Sequence, residues 1–234
     1  MRWLSRLTGS EPALAPQQAA RLAAWQALPS PREAALLSES RYVVVDVESS
    51  GLNAARDRLI AIGAVAVSNG QIQLSDSLEI VLQQTHVSEK GNILIHGIGG
   101  TAQREGIPPI DALLAFLEYL GKDPLIAFHV AFDEAMIGRA MKTFLGLKFR
   151  HAWADLAYVA PALYPQLARR YRTLDDWMGL FGIGNYARHN ALADALSTAE
   201  LLLALRQKLQ ARDAASVRGM KALERERRRQ IEPV

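Results

Sequence analysis

Tyr42-Val43-Val44-Val45-Asp46-Val47-Glu48-Ser49-Ser50-Gly51-Leu52 is the stretch whose reading decides the fold. A β-branched apolar run of this kind specifies a buried strand. Successive side chains of a strand alternate between faces, so Asp46 and Glu48 project side by side. Two like charges so close are costly in an apolar setting unless a proton or a metal ion separates them. Paired carboxylates are hard oxygen ligands suited to Mg²⁺ or Mn²⁺. Taken alone, the stretch is equally consistent with half a metal site and with a solvated strand end.

Downstream, Leu59 to Val67 is a second apolar run, and Asn69-Gly70 after it is a strong hairpin signal, because a type I′ turn needs positive φ at both central residues. Gln71-Ile72-Gln73-Leu74 then alternates as a returning strand continuing to Val81. These three strands predict an antiparallel meander. The Gly-rich segment 95–100 leads to an amphipathic helix over Ile110–Leu120. Beyond it strand and helix alternate: Leu125–Phe128 as strand, Phe132–Leu145 as helix, His151–Asp155 as the last strand. Thr173-Leu174-Asp175-Asp176 resembles a capping box for a helix to Phe181, and Asn190 can cap a long helix from Ala191 to Leu209. The expected fold class is α/β: a mixed five-stranded sheet, three strands antiparallel and two parallel, flanked by helices.

Three further residues fall where open α/β sheets build their sites. Asp133 stands just past a strand at the start of a helix. Asp194 lies one turn inside the last long helix, and His189 in the loop before it. Each alone has an ordinary structural explanation. In order and spacing, however, the series Asp-x-Glu, Asp, His-x4-Asp resembles the histidine subgroup of the DEDD exonucleases, which includes the epsilon proofreading subunit of bacterial DNA polymerase III. Ile95-His96-Gly97-Ile98 and Leu174 through Phe181-Gly182-Ile183 also match, and the resemblance spans residues 42–205.

That resemblance implies a ribonuclease-H-like fold, two divalent metal ions (Mg²⁺ or Mn²⁺) held by Asp46, Glu48, Asp133 and Asp194, and His189 as general base. It implies removal of 5′-mononucleotides from DNA 3′ ends, single-stranded or frayed. Ser49, Ser50, Leu52 and His96 would contact the terminal nucleotide. An RNA-trimming enzyme of the same superfamily and a non-catalytic module bound to nucleic acid or a polymerase are the alternatives. Ser49-Ser50 replaces the family's common Thr-Thr, and His129-Val130 stands where an Asn is common, so substrate preference is where departures fall.

Outside this core, residues 1–40 are expected as a helical extension, 41–209 as the exonuclease domain and 210–234 as a basic tail, either flank able to meet a protein partner. The formal charge of +3 is uneven: residues 206–234 hold nine Lys/Arg against four Asp/Glu, leaving 18 against 20 in residues 1–205. Basicity is therefore no argument that the core binds nucleic acid. The absence of cysteine excludes disulfides and thiol chemistry. With no signal-like start and no long apolar run, a cytoplasmic protein without membrane association is expected.

Overall fold

The computed structural model describes residues 12–30, 33–184 and 187–231. Helix α1 (Pro16–Gln26) precedes strands β1 (Arg41–Ser49), β2 (Leu59–Ser68) and β3 (Gln71–Val81). Helices α2 (Lys90–His96), α3 (Gly100–Arg104) and α4 (Pro109–Leu120) follow. Then come β4 (Leu125–Ala127), α5 (Val130–Leu145), β5 (Trp153–Asp155), α6 (Leu156–Leu163), α7 (Leu174–Phe181), α8 (Ala191–Ala211) and α9 (Val217–Ile231). One five-stranded sheet has the order β3-β2-β1-β4-β5. Its first two junctions are antiparallel, and β1–β4 and β4–β5 are parallel. The expected mixed sheet is present.

β1 is the central strand, and the parity of its side chains sorts the core. Val43, Val45 and Val47 enter one apolar layer with α4 and α5. Tyr42 and Val44 enter the other with α6, α7 and α8. By the same alternation Asp46 and Glu48 face α8. The Asn69-Gly70 turn takes φ of 53° and 69°, both positive as the hairpin requires.

The helices begin where local chemistry satisfies their free N–H groups. At α7, Thr173 Oγ1 accepts from Asp176 N and the Asp176 carboxylate accepts from Thr173 N, a complete capping box. At α8, Asn190 Oδ1 accepts from Ala193 N at 2.9 Å. Helix α5 has no cap of its own, since its N-cap residue His129 sits at φ 70° with no side-chain bond. A carboxylate from a neighbouring strand does the job: Asp155 of β5 accepts from His129 N at 2.9 Å and Val130 N at 3.2 Å. Its negative charge also complements the positive end of the helix dipole.

The described parts of both flanking segments pack on the domain. α1 lies against α4, with Trp25 buried and its indole N–H donated to Gly121 O at 2.6 Å. Arg21 pairs with Glu118 at 2.7 Å. The segment 210–234, expected as a basic tail, contains α9, which packs on α6 and β5. The difference has a simple cause. Val217, Met220 and Leu223 recur at helical spacing and are buried, while Arg218, Arg225, Arg228 and Arg229 stay outside. Burying three such side chains contributes several kcal/mol, at about 1.5–3 kcal/mol each.

Glu224 on α9 reaches into the fold, where Oε1 accepts the backbone N–H of Asp155 at 2.7 Å. Burial pushes its carboxyl up to about 7, and the bond from Asp155 opposes this only in part. Over pH 4.5 to 7 the folded chain therefore keeps a proton that the unfolded chain has lost. Stability from this group is greatest at the acid end and falls as pH rises through 7. Glu224→Gln keeps an acceptor without the charge. Its melting temperature should exceed the wild type's by a few degrees at pH 8, with the difference closing at pH 5.

Candidate active site

The end of β1 carries the acidic pair. Oxygen atoms of Asp46, Glu48 and Asp194 lie within 4.8 Å of one another. Asp194 comes from the first turn of α8 and is 4 % exposed. The approach of α8 to the sheet depends on Gly63, which lies directly opposite Asp46 on β2. A Cβ at Gly63 would sit 2.1 Å from the Ala191 carbonyl carbon and 2.1 Å from Leu192 N. Only a residue without a side chain lets the α8 backbone come this near.

Asp133 stands beside this trio, outside the 4.8 Å group. It is buried in the first turn of α5, close to the backbone of Val47 on β1, which lowers its pKa and opposes part of the effect of burial. Burial and the neighbouring carboxylates of Asp133, Asp194 and Glu48 hold the Asp46 carboxyl well above the usual range. Glu48 is pushed up to about 8, first by burial and then by Asp194. Burial likewise raises Asp133, its backbone bonds opposing. Three carboxyl groups thus converge on one point, with Asp133 beside them, and their charge is under-compensated. A divalent cation fits such a donor set, because it supplies the positive charge that burial and mutual repulsion demand.

Part of that charge comes from Arg188. Its guanidinium bridges Asp194 and, at 2.7 Å, Asp175 on α7, and it favours the charged forms of Asp46 and Glu48. The bridge also fixes the loop that carries His189. His189 has φ 62°, an exposed side chain, and a backbone N–H donated to Asp194 Oδ2 at 3.1 Å. Backbone geometry therefore ties His189 to the carboxylate five residues after it in the chain.

The turn after β1 is closed internally. Ser49 Oγ donates to Gly51 O at 2.6 Å. Ser50 Oγ donates to Asp57 and accepts from Arg58 N, and Ser50 O accepts from the Asn92 amide. Both hydroxyls thus shape the turn. Leu52 at its tip is 93 % exposed, and Leu94 and Ile95 nearby are also exposed. His96 is buried with Nδ1 accepting from Ile98 N at 3.0 Å, while Nε2 is buried without a partner. Burial lowers its pKa, which keeps the ring neutral.

Reading the sequence did not single out Gly63, Arg188 or Asp155. An isolated glycine inside an apolar strand is a known sign of close backbone approach, so Gly63 had a signal. Arg188 and Asp155 had none: Arg188 links α8 to Asp175 on a separate helix, and the α5 amide groups that Asp155 caps lie 25 and 26 residues away.

Comparison with known proteins places these residues in a family. The exonuclease family model RNase_T matches residues 43–202. PolC-type DNA polymerase III of Bacillus subtilis is 31% identical over 169 residues, 72% of this chain and 12% of that protein. The corresponding polymerase of Listeria innocua is 33% identical over 167 residues, 70% of this chain and 11% of that protein. The chain therefore spans about an eighth of the polymerases it matches. Among solved structures, E. coli Exonuclease I in complex with a dA16 oligonucleotide superposes with a TM-score of 0.64 at 16% identity, covering 74% of this chain and 42% of that one. Exonuclease X in complex with 5′ overhanging duplex DNA gives 0.61 at 16% identity, covering 78% of this chain and 99% of that one. These neighbours share the ribonuclease-H-like sheet. No helix among the described residues is long and apolar enough to cross a membrane. With its sheet order, its acidic end of β1 and a match over most of its length, the chain belongs to the RNase_T exonuclease family.

Proposed function

We propose that this protein is a metal-dependent 3′→5′ exonuclease that removes 5′-mononucleotides from single-stranded or frayed DNA ends. The observation that carries this reading is the convergence of Asp46, Glu48 and Asp194 within 4.8 Å, with Asp133 alongside. The polymerase relatives support the choice of DNA, as do the oligonucleotides bound by the structural neighbours.

In this mechanism Asp46, Glu48 and Asp194 would hold one divalent ion, and Asp133 beside them would support a second. Two Mg²⁺ or Mn²⁺ ions bound there supply a more acidic water and stabilise charge on the attacking and leaving oxygens. His189, on its exposed loop, takes the proton of the attacking water as general base. The water oxygen bonds to phosphorus as the phosphorus–O3′ bond breaks; O3′ takes a proton from solvent, leaving a 3′ hydroxyl on the shortened strand and a 5′-phosphate on the released nucleotide. Arg188 keeps the His189 loop and Asp194 in register through its bridge to Asp175. Exposed Leu52 lies against the terminal base. His96 lines the same pocket as part of its wall, while Ser49 and Ser50 act by holding the turn that presents the terminal nucleotide.

A 5′-labelled single-stranded oligonucleotide should shorten stepwise from its 3′ end with Mg²⁺ or Mn²⁺ and remain intact in EDTA. His189→Ala should lower kcat by about 10²–10⁴-fold, the usual contribution of a general base, with unchanged circular dichroism. Full turnover in EDTA would overturn the mechanism. A parallel RNA strand decides the polymer, and a protein that binds but never cuts would be the non-catalytic module.

A further inference from the structure

A cleft of about 830 Å³ opens between α5 and the segment after β3, and no step of the proposed hydrolysis uses it. Its apolar wall includes Leu59, Leu82, Met136 and Phe144, the last 36 % exposed. Around that wall stand Arg58, Arg104 and Arg139. None of these three guanidiniums has a carboxylate partner among the described residues. Arg58 donates to Gln84 and to His86 O, and Arg139 touches only the sulfur of Met136. The acid in the lining, Asp57, is occupied with Ser50 Oγ and Asn53 N.

Both walls of the cleft begin at the active site. Arg58 exchanges two hydrogen bonds with Ser50 at the end of β1, its N–H to Ser50 Oγ and its carbonyl from Ser50 N, each 2.9 Å. Met136 lies one turn beyond Asp133 on α5. Three uncompensated cations around an apolar surface suit a ligand that alternates anionic and flat apolar groups. Single-stranded nucleic acid is such a ligand, with phosphates for guanidiniums and bases for apolar side chains. A purely apolar partner helix would bury these charges unpaired, at a cost.

We propose that this cleft holds the DNA strand 5′ to the nucleotide being removed, with Arg58, Arg104 and Arg139 on its phosphates. The assignment rests on the exonuclease reading of the adjoining site. It makes the enzyme's grip on its substrate depend on strand length.

Binding is measured apart from hydrolysis, by fluorescence anisotropy of single-stranded oligodeoxynucleotides in the full-length Asp46→Asn protein. Strands of about 4 and about 16 nucleotides span the usual range of single-strand site sizes. Replacing all three arginines with alanine should reduce the slope of log K against log salt for the longer strand by about 2, at roughly 0.7 per phosphate. The loss should be larger for the long strand than for the short one. Arg104→Ala and Arg139→Ala alone should each remove about 0.7, which keeps the result readable if the triple variant does not fold. Lysine at the three positions should retain the slope. An unchanged slope in the alanine variants overturns the cleft assignment and leaves the cleft to a protein partner. Hydrolysis of the same strands by the wild type is scored separately, and its absence overturns the exonuclease reading without altering the binding result.

Discussion

Asp46→Asn should lower turnover by about three orders of magnitude or more and, at the same time, raise the melting temperature of the metal-free protein. The two effects share one cause. Asp46 is the carboxylate that neighbours all three others, and burial with their repulsion holds it well above its usual range. Asparagine keeps the shape and removes the repulsion, so the fold relaxes. Each kcal/mol recovered is worth about 2–4 °C in a chain of this size. In the proposed mechanism the same charge binds the cations, and their several kcal/mol of transition-state stabilisation translate into a tenfold loss per 1.36 kcal/mol. Differential scanning fluorimetry with and without Mg²⁺ separates the terms. The wild type should gain about 2.7 kcal/mol at a hundred times the Kd of the ion, and the variant much less. A variant as active as the wild type, or one destabilised without metal, would contradict this account.

Gly63→Ala should be the most damaging conservative substitution in the chain. A methyl group there meets the backbone of Ala191 and Leu192 at 2.1 Å, with no flexible side chain to yield. Either β2 or the start of α8 must move, and α8 carries Asp194. Overpacking of this kind costs about 1–3 kcal/mol in a core whose neighbours can adjust, and the rigid backbone contact puts this site at the top of that range or above. Chemical denaturation should show the stability loss. A calorimetric titration with Mn²⁺ should show weaker ion binding, since Asp194 is displaced from Asp46 and Glu48. Gly63→Ala protein with wild-type ion affinity would show that the close approach of α8 is dispensable.

The sheet was legible because its signals are local. The β-branched run at 42–47 and the Asn69-Gly70 turn need no distant partner to be read, and both strand pairing and positive φ values follow. The caps at Thr173 and Asn190 were legible for the same reason. Helices α2 and α3 were not, because they are short and rest on tertiary bonds such as Gln103 Oε1 accepting from Ser88 N. Helix α6 starts on the residue after β5, and Asp155 serves as strand end, α6 cap and α5 cap together. No single-segment pattern encodes three such duties. The acidic residues of the site were found by their order along the chain. The elements that bring them together, Gly63 against α8 and Arg188 between Asp175 and Asp194, are visible only once the strands are stacked.

The placement of α9 has a consequence for biosynthesis. Glu224 accepts the N–H of Asp155, Arg218 donates its N–H to Glu33 O at 2.9 Å, and Leu37 donates to Ala215 O at 2.9 Å. The strand whose carboxylate seats the Asp133 helix is therefore completed by residues some seventy positions later. While the ribosome still holds those residues, one face of the core lies open and the end of β5 lacks its acceptor. A nascent chain in that state has every proposed metal ligand already synthesised, yet it lacks the acceptor that completes the strand capping the Asp133 helix. In the proposed exonuclease reading, competence to cut then arrives only once α9 has been made and packed, later than synthesis of the last carboxylate.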